Sequence, residues 1–365
     1  MSFDINKINI NEKVKESILN MKDIAIDDYC DKGQNDVFFG RHNIFNCRVA
    51  LKYYYYGEDS HKEVQLLKSI SHKNIIKVWD ARTVGNGWAY FITDEIREGD
   101  LDAAINSKNL GQSDAVKIVR GVLNGLGVMH SAPNRILHRD LKPANILLGK
   151  NHTSLIADFG SVKIVPEDNE LISSSKHSPL YRPPEAYNPG VYTFASDIYQ
   201  VGIILFQLLG GKLSYFEMDY LTVRQKNKYN KLKSDFDKSN YVDEVLLTLA
   251  KKSKLLDMDS LPFFMPLSLR RIIKSAVNPD YKLRFKSTYE FLLDLHKIGE
   301  IQNWFIHGDH YVLKSWKGKD YRIVKKKDEY LCETKNCSNQ NWRKDSYIKS
   351  GLLDEVYMNL SRKIS

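Results

Sequence analysis

An α+β fold divided into two or three units is the prediction for this chain, and three observations carry it. At 365 residues it exceeds what one hydrophobic core usually supports. Strand-like runs at 48–52 and 88–92 give way to long helical periods between residues 112 and 299. Beyond residue 300, short strand-like runs return.

Residues 1–24 read as an N-terminal extension. The run Arg48-Val49-Ala50-Leu51-Lys52 alternates in character, as a strand with two unlike faces does. Val64, Leu67 and Ile70 then share one helical face, with Glu63 beside it. Trp88-Ala89-Tyr90-Phe91-Ile92 forms the next strand, and Asp100 is placed to cap the helix after Gly99. Between Gln112 and His130, Ala115, Ile118, Val119, Val122, Leu123, Leu126 and Met129 recur at helical spacing. A core helix follows at 201–209, and another helix at 288–299. The stretch 211–266 is rich in Lys and Tyr and carries little pattern. The last residues make a small β-rich module, with strands at 311–316, 321–324 and 330–334, a turn at 317–320 and a closing helix at 352–360.

A hydrophobic fraction of 42% with 27% charged residues is that of a soluble globular protein. The longest apolar run, 201–209, is broken by Gly202 and Gln207 and falls far short of a membrane span. No basic segment followed by an apolar stretch opens the chain, and four cysteines do not make a disulfide framework. The expected compartment is the cytoplasm, with no membrane partner. The net charge of +9 permits contact with acidic partners, nucleic acid included, but it is spread evenly and reads first as a solubilising surface. In residues 300–365, thirteen Lys and Arg against nine Asp and Glu leave +4. A regulatory partner or a nucleic acid at this module is therefore an open expectation. His307, His310, Cys332 and Cys337 have spacings that zinc tolerates, though turns and strand ends produce such residues often.

Reactive groups concentrate at 136–160. Asp140, Lys142 and Asn145 lie within six positions, and Asp158 follows thirteen residues after Asn145. A triphosphate, divalent cations and a hydroxyl nucleophile need such a set: a carboxylate to accept the hydroxyl proton, a cation to steady the moving phosphoryl, and two oxygen donors for metal. Asp140, Lys142, and the pair Asn145 and Asp158 suit those roles in turn.

The string His138-Arg139-Asp140-Leu141-Lys142-Pro143-Ala144-Asn145 with Asp158-Phe159-Gly160 resembles the catalytic loop and metal motif of eukaryotic-type serine/threonine protein kinases. The resemblance covers about residues 25–298. It implies a bilobal protein-kinase fold, with a small antiparallel-sheet lobe carrying helix C (about 25–95) and a large, mainly helical lobe (about 96–298). The 301–365 module lies outside it. The implied activity is transfer of the γ-phosphate of ATP to Ser or Thr hydroxyls of protein substrates, autophosphorylation included, with Mg²⁺, or Mn²⁺ in its place. Lys142 carries the Ser/Thr preference, because tyrosine kinases usually have Ala or Arg there.

By the same resemblance, Lys52 in Val49-Ala50-Leu51-Lys52 contacts phosphates and Glu63 of helix C holds it. Val37, Ala50 and Leu147 sandwich the adenine, and Thr93 leads into the hinge at Asp94 and Ile96. Arg139 marks an activation segment ordered by phosphate, with Ser173, Ser174 and Ser175 as acceptors; Ser178 bridges Asp140 and Lys142. Glu185 pairs with Arg284, and Asp197 bonds the catalytic-loop backbone. His138 and Phe159 pack with Leu67. The chain departs from the family at the phosphate-covering loop, where Cys30, Lys32 and Asn35 occupy the three glycine positions and only Gly33 remains nearby. Lys32 then supplies charge where glycine would supply backbone freedom. That departure keeps two other classes in view: a pseudokinase scaffold, and a binding adaptor acting through the C-terminal module.

Overall fold

A five-stranded antiparallel sheet is the first layer of the computed structural model. The described residues are 3–31, 36–56, 61–107, 110–166, 171–173, 178–187, 189–308 and 310–364, without the side chains of Asp31, Lys62, Glu63 and Ser173. Helix α1 (Glu12–Leu19) precedes β1 (Ile24–Asp31), β2 (Asp36–His42) and β3 (Cys47–Tyr55); α2 (Lys62–Ser69), β4 (Val78–Gly85) and β5 (Trp88–Asp94) follow. The strands form one antiparallel sheet in the order β1-β2-β3-β5-β4.

The period of two sorts the side chains of β3. Val49, Leu51 and Tyr53 are fully buried, while Ala50 and Lys52 are half-buried on the opposite face. Residues of the N-terminal extension cover the first face. Val14 and Ile18, one helical turn apart, join Ile5, Phe38, Val49, Leu51, Tyr53, Tyr90 and Ile92 in a single core. Asn11 caps α1 by accepting from the Lys13 amide at 2.9 Å, and the Ser17 and Tyr53 hydroxyls bond at 3.1 Å. Each buried Val or Ile contributes roughly 1.5–3 kcal/mol. The extension therefore belongs to the core of the sheet.

The chain continues through α3 (Leu101–Ser107), α4 (Gln112–His130), β6 (Ile136–Leu137), β7 (Ile146–Gly149), β8 (Thr153–Ile156), β9 (Lys163–Ile164) and β10 (Ile172–Ser173). Next come α5 (Pro184–Tyr187), β11 (Val191–Tyr192), α6 (Phe194–Leu208), α7 (Val223–Tyr229), α8 (Asp235–Lys251), α9 (Leu267–Ala276) and α10 (Thr288–Lys297). Two compact units result, Met1–Gly99 with Leu147–Val162, and Asp100–Ile146 with Lys163–Ser365.

In the second unit every residue of α6 from Ser196 to Leu208 is buried, so this helix is enclosed on all sides. It packs on α4 and α9. A Cβ at Gly202 would come within 2.7 Å of Ala276 Cβ, so only glycine lets α6 and α9 approach this closely. Among the described residues no helix is long and apolar enough to cross a membrane.

The C-terminal module is an antiparallel meander of β12 (Asn303–His307), β13 (His310–Trp316), β14 (Lys319–Lys326), β15 (Glu329–Asn336) and β16 (Arg343–Lys344), followed by α11 (Leu353–Ile364). Val356, Leu360 and Ile364, spaced four apart on α11, pack with Trp304, Leu313, Tyr321, Ile323, Cys332 and Ile348. Phe264, from the segment before α9, enters the same core and stacks on Trp304 at 5.1 Å. Asn303 fixes β12 to α4 by accepting from the Ser113 amide at 3.1 Å.

Among the described residues no three His, Cys, Asp or Glu side chains gather as a metal site. Burial pushes the Cys332 thiol up to about 12, whereas Cys337 is exposed. Iodoacetamide at neutral pH is therefore expected to alkylate Cys337 and spare Cys332, which peptide mass mapping checks. Equal labelling of the two would contradict the burial of β15.

Candidate active site

The first unit presents a row of side chains on the sheet face opposite its core. Val37 lies across from Lys52 on β3, and Lys52 from Phe91 on β5. Ala50 is flanked likewise by Phe39 and Thr93. Val37, Ala50, Lys52 and Thr93 thus share one face because strand register places them there. Lys52 Nζ lies 2.9 Å from Asp158 Oδ1 and 5.8 Å from the centre of the Phe91 ring. Asp158 takes a positive φ of 61°, a conformation Asp tolerates better than most residues.

Leu147, on β7, is half-buried, and the next amide, that of Leu148, donates to the Gly99 carbonyl at 2.9 Å. The buried Thr93 hydroxyl donates to the Asp94 carbonyl at 3.2 Å, while Asp94 itself is exposed and Ile96 half-buried. Arg48 bonds both Asp27 and Glu95, and these carboxylates hold its guanidinium above its ordinary value. That bridge anchors the segment after β5 to β1 and β3. Glu63 lies on α2, with its side chain outside the described residues, as are Lys32 and Gly33 entirely.

The second unit gathers the catalytic-loop groups. Asp140 is buried, with 7% exposure, and three side chains converge on it. Lys142 Nζ donates to Oδ2 at 2.9 Å, Asn145 Nδ2 to Oδ2 at 3.1 Å, and the Ser178 hydroxyl to Oδ1 at 3.0 Å. Lys142 Nζ also donates to Ser178 Oγ at 2.9 Å. Asn145 spends its amide nitrogen a second time on the Asp140 carbonyl, at 2.8 Å. Its Oδ1 is an oxygen donor of the kind a hard divalent cation takes; in the first unit the Asp158 carboxylate is another of that kind.

Helix α6 holds this loop from below. Fully buried Asp197 accepts from the His138 and Arg139 amides, both at 2.8 Å, and contacts His130 Nε2 at 2.9 Å. One turn on, Gln200 accepts from the Leu141 amide at 3.0 Å and donates to the Arg139 carbonyl at 3.1 Å. Sequence reasoning missed Gln200. Its signal is a polar residue three places after Asp197, inside an otherwise apolar helix. Gln200→Leu leaves the buried Leu141 amide unbonded and is expected to cost about 1–3 kcal/mol, read as a lower urea midpoint. A change within error would show that the loop does not depend on this contact.

Arg139 is also buried and lies 6.0 Å from the centre of the Tyr192 ring. Desolvation pushes its guanidinium below its ordinary value, against the opposing pull of Tyr192 and Asp197, so an added anion nearby would be favoured. Ser173 sits on β10, paired with Val191 of β11, its side chain outside the described residues; Ser174 and Ser175 lie outside them altogether. Glu185, at the start of α5, and Arg284 meet in a bidentate pair at 2.7 and 2.8 Å, both buried. Ser196 donates to the same carboxylate at 2.7 Å. His138, with no exposure, serves packing and accepts weakly from the Asp140 amide at 3.4 Å through Nδ1.

This arrangement defines a phosphotransferase class, and comparison with known proteins agrees. The family model described as protein kinase domain matches residues 34–288, and the chain belongs to that family. Its members use ATP with a divalent metal ion and act on proteins. The serine/threonine-protein kinase TIO of Arabidopsis thaliana is 27% identical over 224 residues, 59% of this chain and 17% of that protein. Wall-associated receptor kinase 2 of the same plant is 35% identical over 155 residues, 41% of this chain and 21% of that protein. The serine/threonine-protein kinase atg1 of Dictyostelium discoideum is 34% identical over 175 residues, 46% of this chain and 26% of that protein. These alignments span about a quarter or less of each relative's own length.

Proposed function

We propose that the chain is a serine/threonine protein kinase, acting with ATP and Mg²⁺ on protein substrates in the cytoplasm. The observation that carries this reading is the cluster in which Asp140 receives Lys142, Asn145 and the Ser178 hydroxyl. Nucleotide and metal supply an activated terminal phosphoryl group. Lys52 neutralises phosphate charge, with Glu63 as its orienting carboxylate and Asp158 as a metal ligand alongside Asn145. Val37, Ala50 and Leu147 give the base an apolar slot; the segment Thr93, Asp94 and Ile96 gives it backbone partners, and Lys32 and Gly33 cover the phosphates. Asp140 accepts the proton of the attacking hydroxyl, and Lys142 offsets charge on the moving group. Phosphate on Ser173, Ser174 or Ser175 would answer the buried charge of Arg139.

The kinase domain is assigned to 25–298, with 1–24 as an extension and 301–365 as an accessory module. The charge of that module favours a regulatory partner or nucleic acid there. The preference for Ser and Thr rests on Lys142, and it agrees with the printed names of two of the relatives. Incubation with ATP radiolabelled at the γ-phosphate and Mg²⁺, followed by phosphoamino-acid analysis, tests the activity and the residue preference. Label is expected on Ser or Thr of added or own polypeptide, and Asp158→Ala is expected to abolish it. Label on Tyr alone, or full transfer by Asp158→Ala, would overturn the assignment.

A further inference from the structure

Four side chains from separate segments of the second unit form one chain of hydrogen bonds. Tyr215 donates to Asp102 Oδ1 at 2.5 Å, Gln207 Nε2 donates to the Tyr215 hydroxyl at 3.2 Å, and the Tyr181 hydroxyl donates to Gln207 Oε1 at 2.8 Å. Asp102 lies in the first turn of α3, Gln207 in the last turn of α6, and Tyr181 follows Ser178 by three residues. We propose that Tyr215, oriented by Asp102, is a positioning residue for the polypeptide substrate, because it fixes the segment from Ser178 to Tyr181 beside which the acceptor must lie. This role rests on Asp140 being the base for the attacking hydroxyl.

Ser178 donates to Asp140 Oδ1 at 3.0 Å, so a hydroxyl that reaches the same oxygen brings its own chain alongside residues 178–181. Those residues make a single tight turn, in which the Tyr181 amide donates to the Ser178 carbonyl at 3.1 Å. Where Tyr181 is held, the backbone of Ser178 is held too. The Tyr181 ring is buried, and its hydroxyl ends on Gln207, which is buried as well. Tyr215 is exposed, so the chain of bonds runs from the interior to the surface.

Its direction is set at the outer end. At neutral pH a carboxylate only accepts, so the Tyr215 hydroxyl spends its proton on Asp102. The Tyr215 oxygen is then left to accept, and the carboxamide of Gln207 must present Nε2 to it. Oε1 consequently faces Tyr181 and takes its hydroxyl proton as a hydrogen bond. Burial raises the Tyr181 hydroxyl above its ordinary value, and burial followed by the Asp102 carboxylate raises that of Tyr215, so both remain donors. Tyr215 reaches Gln207 because α6 stops at Leu208 and Gly210, at φ 89°, turns the chain back. The Tyr220 hydroxyl donates to the Ser214 carbonyl at 2.9 Å, and the Phe216 amide to Ser214 Oγ at 3.1 Å, which steadies Tyr215 from both sides. Loss of the Tyr215 hydroxyl leaves Gln207 Nε2 without a side-chain acceptor among the described residues, and the carboxamide is free to turn from Tyr181.

Steady-state transfer to a random peptide mixture with Ser at its centre tests the role, using the full chain with ATP and Mg²⁺. Tyr215→Phe is expected to raise the apparent KM for peptide about three- to tenfold, the effect of one ordinary hydrogen bond. The KM for ATP and kcat are expected to stay within about twofold, since the bonds do not reach the nucleotide or Asp140 itself. Asp102→Ala is expected to match it, and the double variant to be no worse than Tyr215→Phe alone, because both act through one chain. The proposal is overturned if Tyr215→Phe keeps the wild-type KM for peptide, if the KM for ATP rises in step with it, or if the two losses multiply. Asp140→Asn, run alongside, reports separately on the base: a wild-type rate from it unseats Asp140, whereas an unchanged peptide KM in Tyr215→Phe beside an inactive Asp140→Asn unseats Tyr215 alone. Should Asp102→Ala fail to fold, the split between the two KM values in Tyr215→Phe still decides the matter.

Discussion

Asp140→Ala is expected to slow phosphate transfer by about 10²–10⁴-fold while leaving nucleotide binding intact. The hydroxyl of Ser178 already donates to Asp140 Oδ1 at 3.0 Å, so this carboxylate is placed to accept a hydrogen bond from an alcohol. A substrate hydroxyl requires the same of it. Lys142 and Asn145 both bond Oδ2, which leaves Oδ1 as the oxygen directed at hydroxyl groups. Alanine removes this acceptor and also strips Lys142 of its neighbouring charge, so a second variant is needed to separate the two effects. Asp140→Asn keeps the shape and loses the basic oxygen; its rate is expected to fall as far as that of the alanine variant. Single-turnover rates measure the chemistry, and the rise in melting temperature with ATP and Mg²⁺ measures binding. A wild-type rate from Asp140→Asn would remove Asp140 from the role of base.

The catalytic loop is legible in the sequence because its chemistry is local: Asp140, Lys142 and Asn145 need only a short loop to converge. Lys52 and Asp158 lie 106 residues apart, and only the order of motifs relates them before the sheet is built. Helix α4 reads over its full span, Gln112–His130, since nineteen residues give periodicity room to emerge. Helix α1 has eight residues, and its three apolar positions, Val14, Ile18 and Leu19, are too few to announce a buried face. The extension therefore reads as an appendage, yet it completes the core of the first sheet. Strand β12 is hidden for a related reason: Trp304, Phe305 and Ile306 are consecutive apolar residues, and alternation never appears. The C-terminal sheet is otherwise visible in its three longest strands. Gln200 escapes because its partners, Arg139 and Leu141, are backbone groups, and backbone leaves no mark on residue identity.

Arg284→Met is expected to lower stability by about 3–5 kcal/mol, among the largest losses any single substitution in the second unit should produce. The change leaves the Glu185 carboxylate buried at 3% exposure, with the Ser196 hydroxyl as its remaining side-chain donor among the described residues. Arg284 also donates to the Ala195 and Asn278 carbonyls, at 3.0 and 2.7 Å, so those acceptors lose a partner as well. The loss is asymmetric in origin, because removing one charge exposes the cost of burying the other. Glu185→Leu with Arg284→Met removes both charges at once, and this double variant is expected to recover most of the lost stability. Urea unfolding of the four proteins yields the cycle, with a coupling energy well above the roughly 0.5 kcal/mol seen for independent sites. Additive losses would mean that the two residues do not act as a pair. Activity should separate from stability in the double variant. The pair joins positions 99 residues apart and ties α5 to the segment before α10, immediately after the stretch that carries Ser178. An apolar replacement refills the space but no longer fixes the direction of that stretch, so transfer is expected to stay below wild type after the fold has recovered.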